Sequence, residues 1–258
     1  MKHIISLSGG IGSYIALKRI VEKHGSENVV AVFCDTLVED NDLYRFLEDI
    51  VNKFSIGIIR LVDGRKPFEL CYQHKFLFNS RVAKCSAELK SKPFNEWLKK
   101  TYEPNECVLY FGIDFTESHR CNAIVRNYDP YKVEFPLLDE PLLYKNEMLK
   151  QLQDDGIEVP RMYKLNFAHN NCGGICFKAG IGHFRNLYLK DKEKYIEAET
   201  EEENVREFLG KDVSILKRND GVFTLRQLRE LLEGSEQYER LNIFELEVGG
   251  CGCFVDEE

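Results

Sequence analysis

The sequence predicts a parallel α/β sheet covered by helices on both faces, continued by a helical extension that carries cysteines. Three observations predict it. Short runs such as Val29-Val30-Ala31-Val32-Phe33 are apolar throughout instead of alternating, as strands buried on both faces are. Segments with apolar residues at helical spacing separate these runs, which is the β–α–β rhythm of a parallel sheet. From about Tyr144 that rhythm stops, and glycine, asparagine, cysteine and histidine collect in an aperiodic stretch.

In chain order, His3 to Leu7 is a short apolar strand, followed by the loop Ser8-Gly9-Gly10-Ile11-Gly12-Ser13. A helical pattern runs through Tyr14, Ile15, Leu17, Ile20 and Val21 and stops at Gly25, a plausible left-handed terminator. Val29 to Phe33 is the second strand. Asp40 and Asp42 are candidate caps for a helix carrying Leu43, Phe46, Leu47 and Ile50. Ile56 to Val62 and Cys107 to Ile113 read as the third and fourth strands. Beyond them a helix from Asn146 to Asp155 ends at Gly156, and Phe167 to Gly182 has the texture of a site loop. Helical periodicity resumes from His183 to Phe208, and again from Leu225 to Glu233 with Thr224 as N-cap. The simplest division is a nucleotide-type α/β unit over residues 1–143 and a helical extension over 144–258.

A net charge of −8 over 258 residues argues against a surface that grips nucleic acid throughout, since that mode needs dense basic coverage. Lys84, Lys90, Lys92, Lys99 and Lys100 cluster in sequence, and a solvated helix face is the simpler reading of them. No apolar run reaches the roughly 20 residues that span a bilayer, and the N-terminus lacks a signal-peptide core. A cytoplasmic protein without a membrane partner is the expectation, and a homodimer is compatible with it.

A strand, a glycine loop with flanking serines, and a helix together make an arrangement suited to phosphate. Glycines let the backbone approach oxygens, consecutive N–H groups turn inward, and the positive end of the helix dipole faces the anion. Ser8 and Ser13 add hydroxyls. The spacing is neither that of a Walker A loop nor that of a dinucleotide fingerprint.

This loop resembles the PP-loop of the ATP pyrophosphatases, or adenine nucleotide alpha hydrolases, and more narrowly that of the phosphoadenosine phosphosulfate (PAPS) reductase family. The resemblance extends along the first half of the chain. Phe33-Cys34-Asp35-Thr36-Leu37-Val38-Glu39-Asp40 is similar to the family's segment passing the adenosine, which implies nucleotide contacts from Asp35, Thr36 and Glu39. Arg81 to Pro93, with Cys85, Glu88, Leu89 and Lys90, looks like its Arg…Cys…Glu-Leu-Lys…Pro segment. Gly112-Ile113 to Glu117-Ser118 and Arg120 is similar to its stretch after the fourth strand. Two departures are visible. Many members carry Lys-Asp in the loop where this chain has Ile11-Gly12, so Arg81, Lys90 or Arg120 must supply the missing positive charge. The reductases' C-terminal Glu-Cys-Gly-x-His is here Gly250-Cys251-Gly252-Cys253-Phe254. The resemblance implies ATP, or the sulfonucleotides APS or PAPS, as ligand, with Mg²⁺. It also implies an adenylylating enzyme, with sulfonucleotide reduction as the alternative and a non-enzymatic sensor as the third reading. Arg120, Lys90 and His169 are the candidate catalytic groups, and Glu117 a further nucleotide contact. The acceptor, whether a tRNA base, a DNA backbone or a small molecule, is left open.

Of nine cysteines, four form glycine-framed pairs, Cys172/Cys176 and Cys251/Cys253. Such pairs hold zinc or iron–sulfur clusters, and spacing seldom separates the two. The resemblance implies a cluster, of the [4Fe–4S] type, with Cys85 competing as a ligand and zinc the lesser alternative. His169 lies one turn before Cys172, whereas His183 reads as a helix-face residue. Cys34, Cys71, Cys107 and Cys121 read as small buried hydrophobes.

Overall fold

A computed structural model of the chain describes residues 1–170, 172–218 and 221–234. Five strands, β1 (Lys2–Ser6), β2 (Val29–Asp35), β3 (Ile58–Val62), β4 (Cys107–Phe111) and β5 (Lys132–Glu134), run parallel in the order β3-β2-β1-β4-β5. Ile4 of β1 stands opposite Val30 on one side and Leu109 on the other. The chain winds outward from β1 through β2 to β3, then returns to β4 beside β1. A crevice therefore opens between the carboxyl ends of β1 and β4, where a doubly wound sheet places its ligand.

Helices α1 (Ile11–His24), α2 (Asn41–Phe54), α3 (Pro67–His74), α4 (Lys92–Thr101) and α5 (Cys121–Tyr128) connect the strands, and α6 (Lys145–Asp154) follows β5. Successive strand residues feed two different cores, which is why these strands are apolar without alternation. Ile5, Ala31, Phe33 and Tyr110 pack with α1, α2 and α6. Ile4, Val32, Leu109 and Phe111 pack with α4 and α5. The caps follow the sequence: Asp40 accepts from the Asp42 amide at 3.0 Å, and Gly25 ends α1 with φ +79°.

A third core lies beyond the sheet, among α7 (Arg161–Lys164), α8 (Ile181–Lys190), α9 (Lys192–Leu209) and α10 (Leu225–Glu233). A hairpin of β6 (Leu216–Arg218) and β7 (Gly221–Phe223) closes it. Glu202, fully buried, holds this lobe by accepting the amides of Ile215 at 2.7 Å and Leu225 at 2.6 Å. Burial pushes its carboxyl up to about 7 against the pull of those amides.

Three expectations need revision. The helical stretch from His183 to Phe208 divides into two helices, because Asp191 leaves helical geometry and caps α9 through the Lys194 amide at 3.1 Å. The division at residue 143 marks where β–α alternation ends and does not follow the packing. Leu70, Phe78 and Leu89 from the first half join the C-terminal core, while Met148 and Leu152 of α6 join the core of the sheet. Lys90 leaves the solvated face occupied by Lys84, Lys92, Lys99 and Lys100, because a π turn at Ala87–Ser91 ahead of Pro93 rotates it inward to 3% exposure. Among the described residues no helix is long and apolar enough to cross a membrane.

Candidate nucleotide site at the switch point

A cavity of about 470 Å³ opens at the carboxyl ends of β1 and β4. That volume falls within the range usual for small-molecule sites. The loop Ser8–Ser13 forms one wall, with Gly9 tucked behind it. Asp114, Glu117 and Arg120 form the second, Tyr144 and Lys145 at the start of α6 the third. Tyr163, His169 and Asn170 close the rim.

The loop is built by its own hydrogen bonds. Ser8 Oγ accepts the Gly10 amide at 3.3 Å, and Ser13 Oγ donates to the Gly10 carbonyl at 2.8 Å. Gly10 is extended and begins α1, so the Ile11 amide points out of the helix end, where the Tyr163 hydroxyl accepts it at 2.9 Å. Gly12 and Gly112 serve a purpose not anticipated from the sequence. A Cβ on Gly112 would stand 2.6 Å from the Ser13 nitrogen, and one on Gly12 would stand 2.9 Å from the Gly112 carbonyl. These glycines let the β1 and β4 loops meet backbone to backbone, so the cavity is shared between them.

Two cations face the cavity. Arg120, at the end of the 3₁₀ turn Phe115–Arg120, bonds Glu117 at 2.5 Å. Lys145 extends from the first turn of α6. Its stem is exposed, but its ammonium sits against the Ala168 carbonyl and 4.6 Å over the Tyr163 ring. Loss of hydration there holds its pKa below the ordinary lysine value, while Asp114 and Glu117 pull the other way. Two other proposed sources of charge lie elsewhere. Arg81 lines a separate cleft with Asn79, Asp212 and Lys217. Lys90 forms an ion pair with Glu39 at 3.6 Å.

The segment after β2 is closed by its own contacts. Among the described residues, Asp35, Thr36 and Glu39 do not line the cavity and are 1–5% exposed. Asp35 accepts from the Tyr44 hydroxyl at 2.9 Å, the Leu37 amide at 2.7 Å and Arg60 at 2.8 Å. Glu39 accepts from Thr36 Oγ1 at 2.9 Å and from the Cys172 amide. Asp40 pairs with Arg161.

The glycine-framed cysteine turn lies against that segment. Cys172, Gly173 and Gly174 all have positive φ, at +54°, +51° and +87°, and a Cβ on Gly173 would stand 2.5 Å from the Val38 carbonyl. Cys172, Cys176 and Cys85 are half-buried, and Cys85 and Cys176 border the C-terminal core. Among the described residues no three His, Cys, Asp or Glu side chains converge as a metal site. Cys251 and Cys253 lie outside the described residues. His169 lies on the cavity. His183 sits on the buried face of α8, its Nε2 2.7 Å from the Gly174 carbonyl, and burial lowers its pKa. Cys71 and Cys107 are inert by burial, their thiols pushed up to about 12 and about 11.

Lys145, Tyr163, Asn170 and Asp114 are cavity residues that reading the sequence missed. Asn170 had a local signal in the aperiodic stretch and Asp114 in the Gly112–Arg120 segment, whereas Lys145 and Tyr163 had none.

No family model matches the sequence, and no curated protein matches it. Among solved structures, the chain is similar to a phosphate complex of phosphoadenylyl-sulfate (PAPS) reductase from Candida auris. The identity is 12% and the TM-score 0.45, over 65% of this chain and 79% of that one. A likeness this loose does not assign a family.

Proposed function

We propose that the cavity binds ATP and that the chain is an enzyme that activates an acceptor by adenylyl transfer. The observation that carries this is the convergence, at the switch point, of the α1 amino end with two cations from distant segments, Arg120 and Lys145. A helix amino terminus with a glycine loop favours phosphate, and guanidinium and ammonium groups facing it offset the remaining charge. Lys145 and Arg120 thereby take the part of the lysine that the loop lacks.

In this reading the β- and γ-phosphates rest on the loop, and the α-phosphate turns toward the rim. An acceptor oxygen attacks the α-phosphorus, the bond to the bridging oxygen breaks, and pyrophosphate leaves with the electron pair. His169, on the rim, takes the acceptor's proton. Arg120 and Lys145 stabilise the charge that builds on the pyrophosphate. Asp114 and Glu117 would supply carboxylate oxygens to a Mg²⁺ accompanying ATP, which would offset phosphate charge. No step is routed through an iron–sulfur cluster, for which Cys172 and Cys176 would need Cys251 or Cys253 as partners.

Thermal unfolding with ATP, APS and PAPS, followed by product analysis, tests the proposal. ATP at 100 times its Kd should stabilise the chain by about 2.7 kcal/mol, and pyrophosphate should form when an acceptor is supplied. Sulfite from APS or PAPS, lost in Cys251→Ser/Cys253→Ser, would replace adenylylation with reduction. Indifference to all three nucleotides would end the reading.

A further inference from the structure

We infer that Tyr163 and a ligand's phosphate compete for one backbone amide, so that phosphate binding moves the segment that carries Cys172. The inference rests on the cavity's being a phosphate site and on no feature of the reaction.

The first amides of a helix have no acceptor within it. In α1 the Ile11 amide is taken by the Tyr163 hydroxyl at 2.9 Å, across 152 positions of sequence. A phosphate oxygen at this helix end would use the same donor. Tyr163 heads a short, tied segment. The Phe167 amide bonds the Met162 carbonyl at 2.9 Å, Asn170 Nδ2 donates to the Gly9 carbonyl at 2.9 Å, and the Cys172 amide donates to Glu39. The segment is thus fastened to the phosphate loop at Ile11 and Gly9, and to the closed β2 end at Glu39. Displacing the first tie loads the others, which include Asn186 on the Leu165 carbonyl at 2.9 Å and Lys145 on the Ala168 carbonyl.

A second observation points to a ligand in the same cavity. Asn170 lines it, is fully buried, and among the described residues its Oδ1 has no hydrogen-bond partner. The amide's orientation is set by the Gly9 carbonyl, which can only accept. A buried acceptor without a donor is uncommon and calls for one. The ligand therefore carries a hydroxyl or amine beside its phosphate, as a nucleotide does and a bare anion does not. Lys145, already over the Tyr163 ring, is placed to meet the incoming charge.

The test measures calorimetric binding of ATP, and separately of inorganic pyrophosphate, to the full chain and to Tyr163→Phe. N-ethylmaleimide labelling of Cys172 is followed by peptide mass spectrometry with and without each ligand. Phenylalanine keeps the ring and its lysine contact while removing the competitor. Binding should tighten about fivefold, the worth of one exchanged neutral hydrogen bond. In the parent chain either ligand should change the Cys172 labelling rate severalfold, and Tyr163→Phe should show a shift in the same direction without ligand. Unchanged or weaker binding in Tyr163→Phe, or labelling indifferent to ligand, overturns the inference. If ATP binds and Tyr163→Phe matches the parent, this inference fails and the ATP reading stands. If pyrophosphate alone binds, with the expected changes, the ATP reading and the Asn170 argument both fail, and only the competition for the Ile11 amide stands. Binding of neither ligand overturns both.

Discussion

The carboxyl edge of the sheet presents two places where a nucleotide could be received, and they differ in whether their polar groups face open space or each other. At the β1–β4 crevice, backbone amides, serine hydroxyls and two cations line open space together with the carboxylates of Asp114 and Glu117. At the end of β2 the groups are carboxylates, and each already has partners: Asp35 with Arg60 and Tyr44, Glu39 with Lys90 and the Cys172 amide, Asp40 with Arg161. The first place has donors facing a cavity. The second is a buried polar network joining the sheet to the cysteine turn. Polar residues after a strand therefore do not by themselves make a binding site, since burial with satisfied partners can give them structural work instead.

The comparison can be broken most severely at Glu39. Glu39→Ala leaves the buried Lys90 ammonium without this carboxylate and the Cys172 amide without its acceptor, and should cost about 3–5 kcal/mol in denaturant unfolding. In the protein that remains folded, ATP affinity should stay within about twofold, since Glu39 does not line the cavity. Gly112→Ala attacks the other side. Its Cβ meets backbone atoms of Gly12 and Ser13, which must separate, at about 3 kcal/mol and with loss of the ATP-induced stabilisation.

Lys145→Met reverses the Glu39 pattern. Stability should change by no more than about 0.5 kcal/mol, while ATP affinity falls about ten- to a hundredfold, the range for a charge-assisted contact. The pH dependence follows from the same group. In the proposed reading its ammonium form binds phosphate, and desolvation places its pKa below that of ordinary lysine. Affinity should thus begin to fall on the alkaline side sooner than in Lys145→Arg, whose guanidinium does not titrate there. Arg81→Ala is the smallest change expected: it lies in another cleft and should leave ATP affinity within about twofold.

Much of this was legible in sequence. β1, β2 and β4 announced themselves because strands covered on both faces need no alternation, and the glycine loop because strand, glycines and helix follow one another directly. Lys145 and Tyr163 gave no local sign. They reach the loop from more than 130 residues away, on a helix turn and a four-residue helix whose sequences look ordinary. Lys90 and Arg81 share one short segment, yet a π turn buries the first and leaves the second on a different surface. Periodicity does not register such a turn. Asp191 interrupted a helix without disturbing its apolar spacing, so α8 and α9 read as one.

Amide hydrogen exchange with and without saturating ATP tests the central claim most directly. The account predicts slowed exchange at Ile11, Gly12 and Ser13 and across residues 112–120, with residues 35–40 unchanged because their protection is already structural. Slowing confined to 35–40, with the Ser8–Ser13 loop indifferent to ATP, would contradict it.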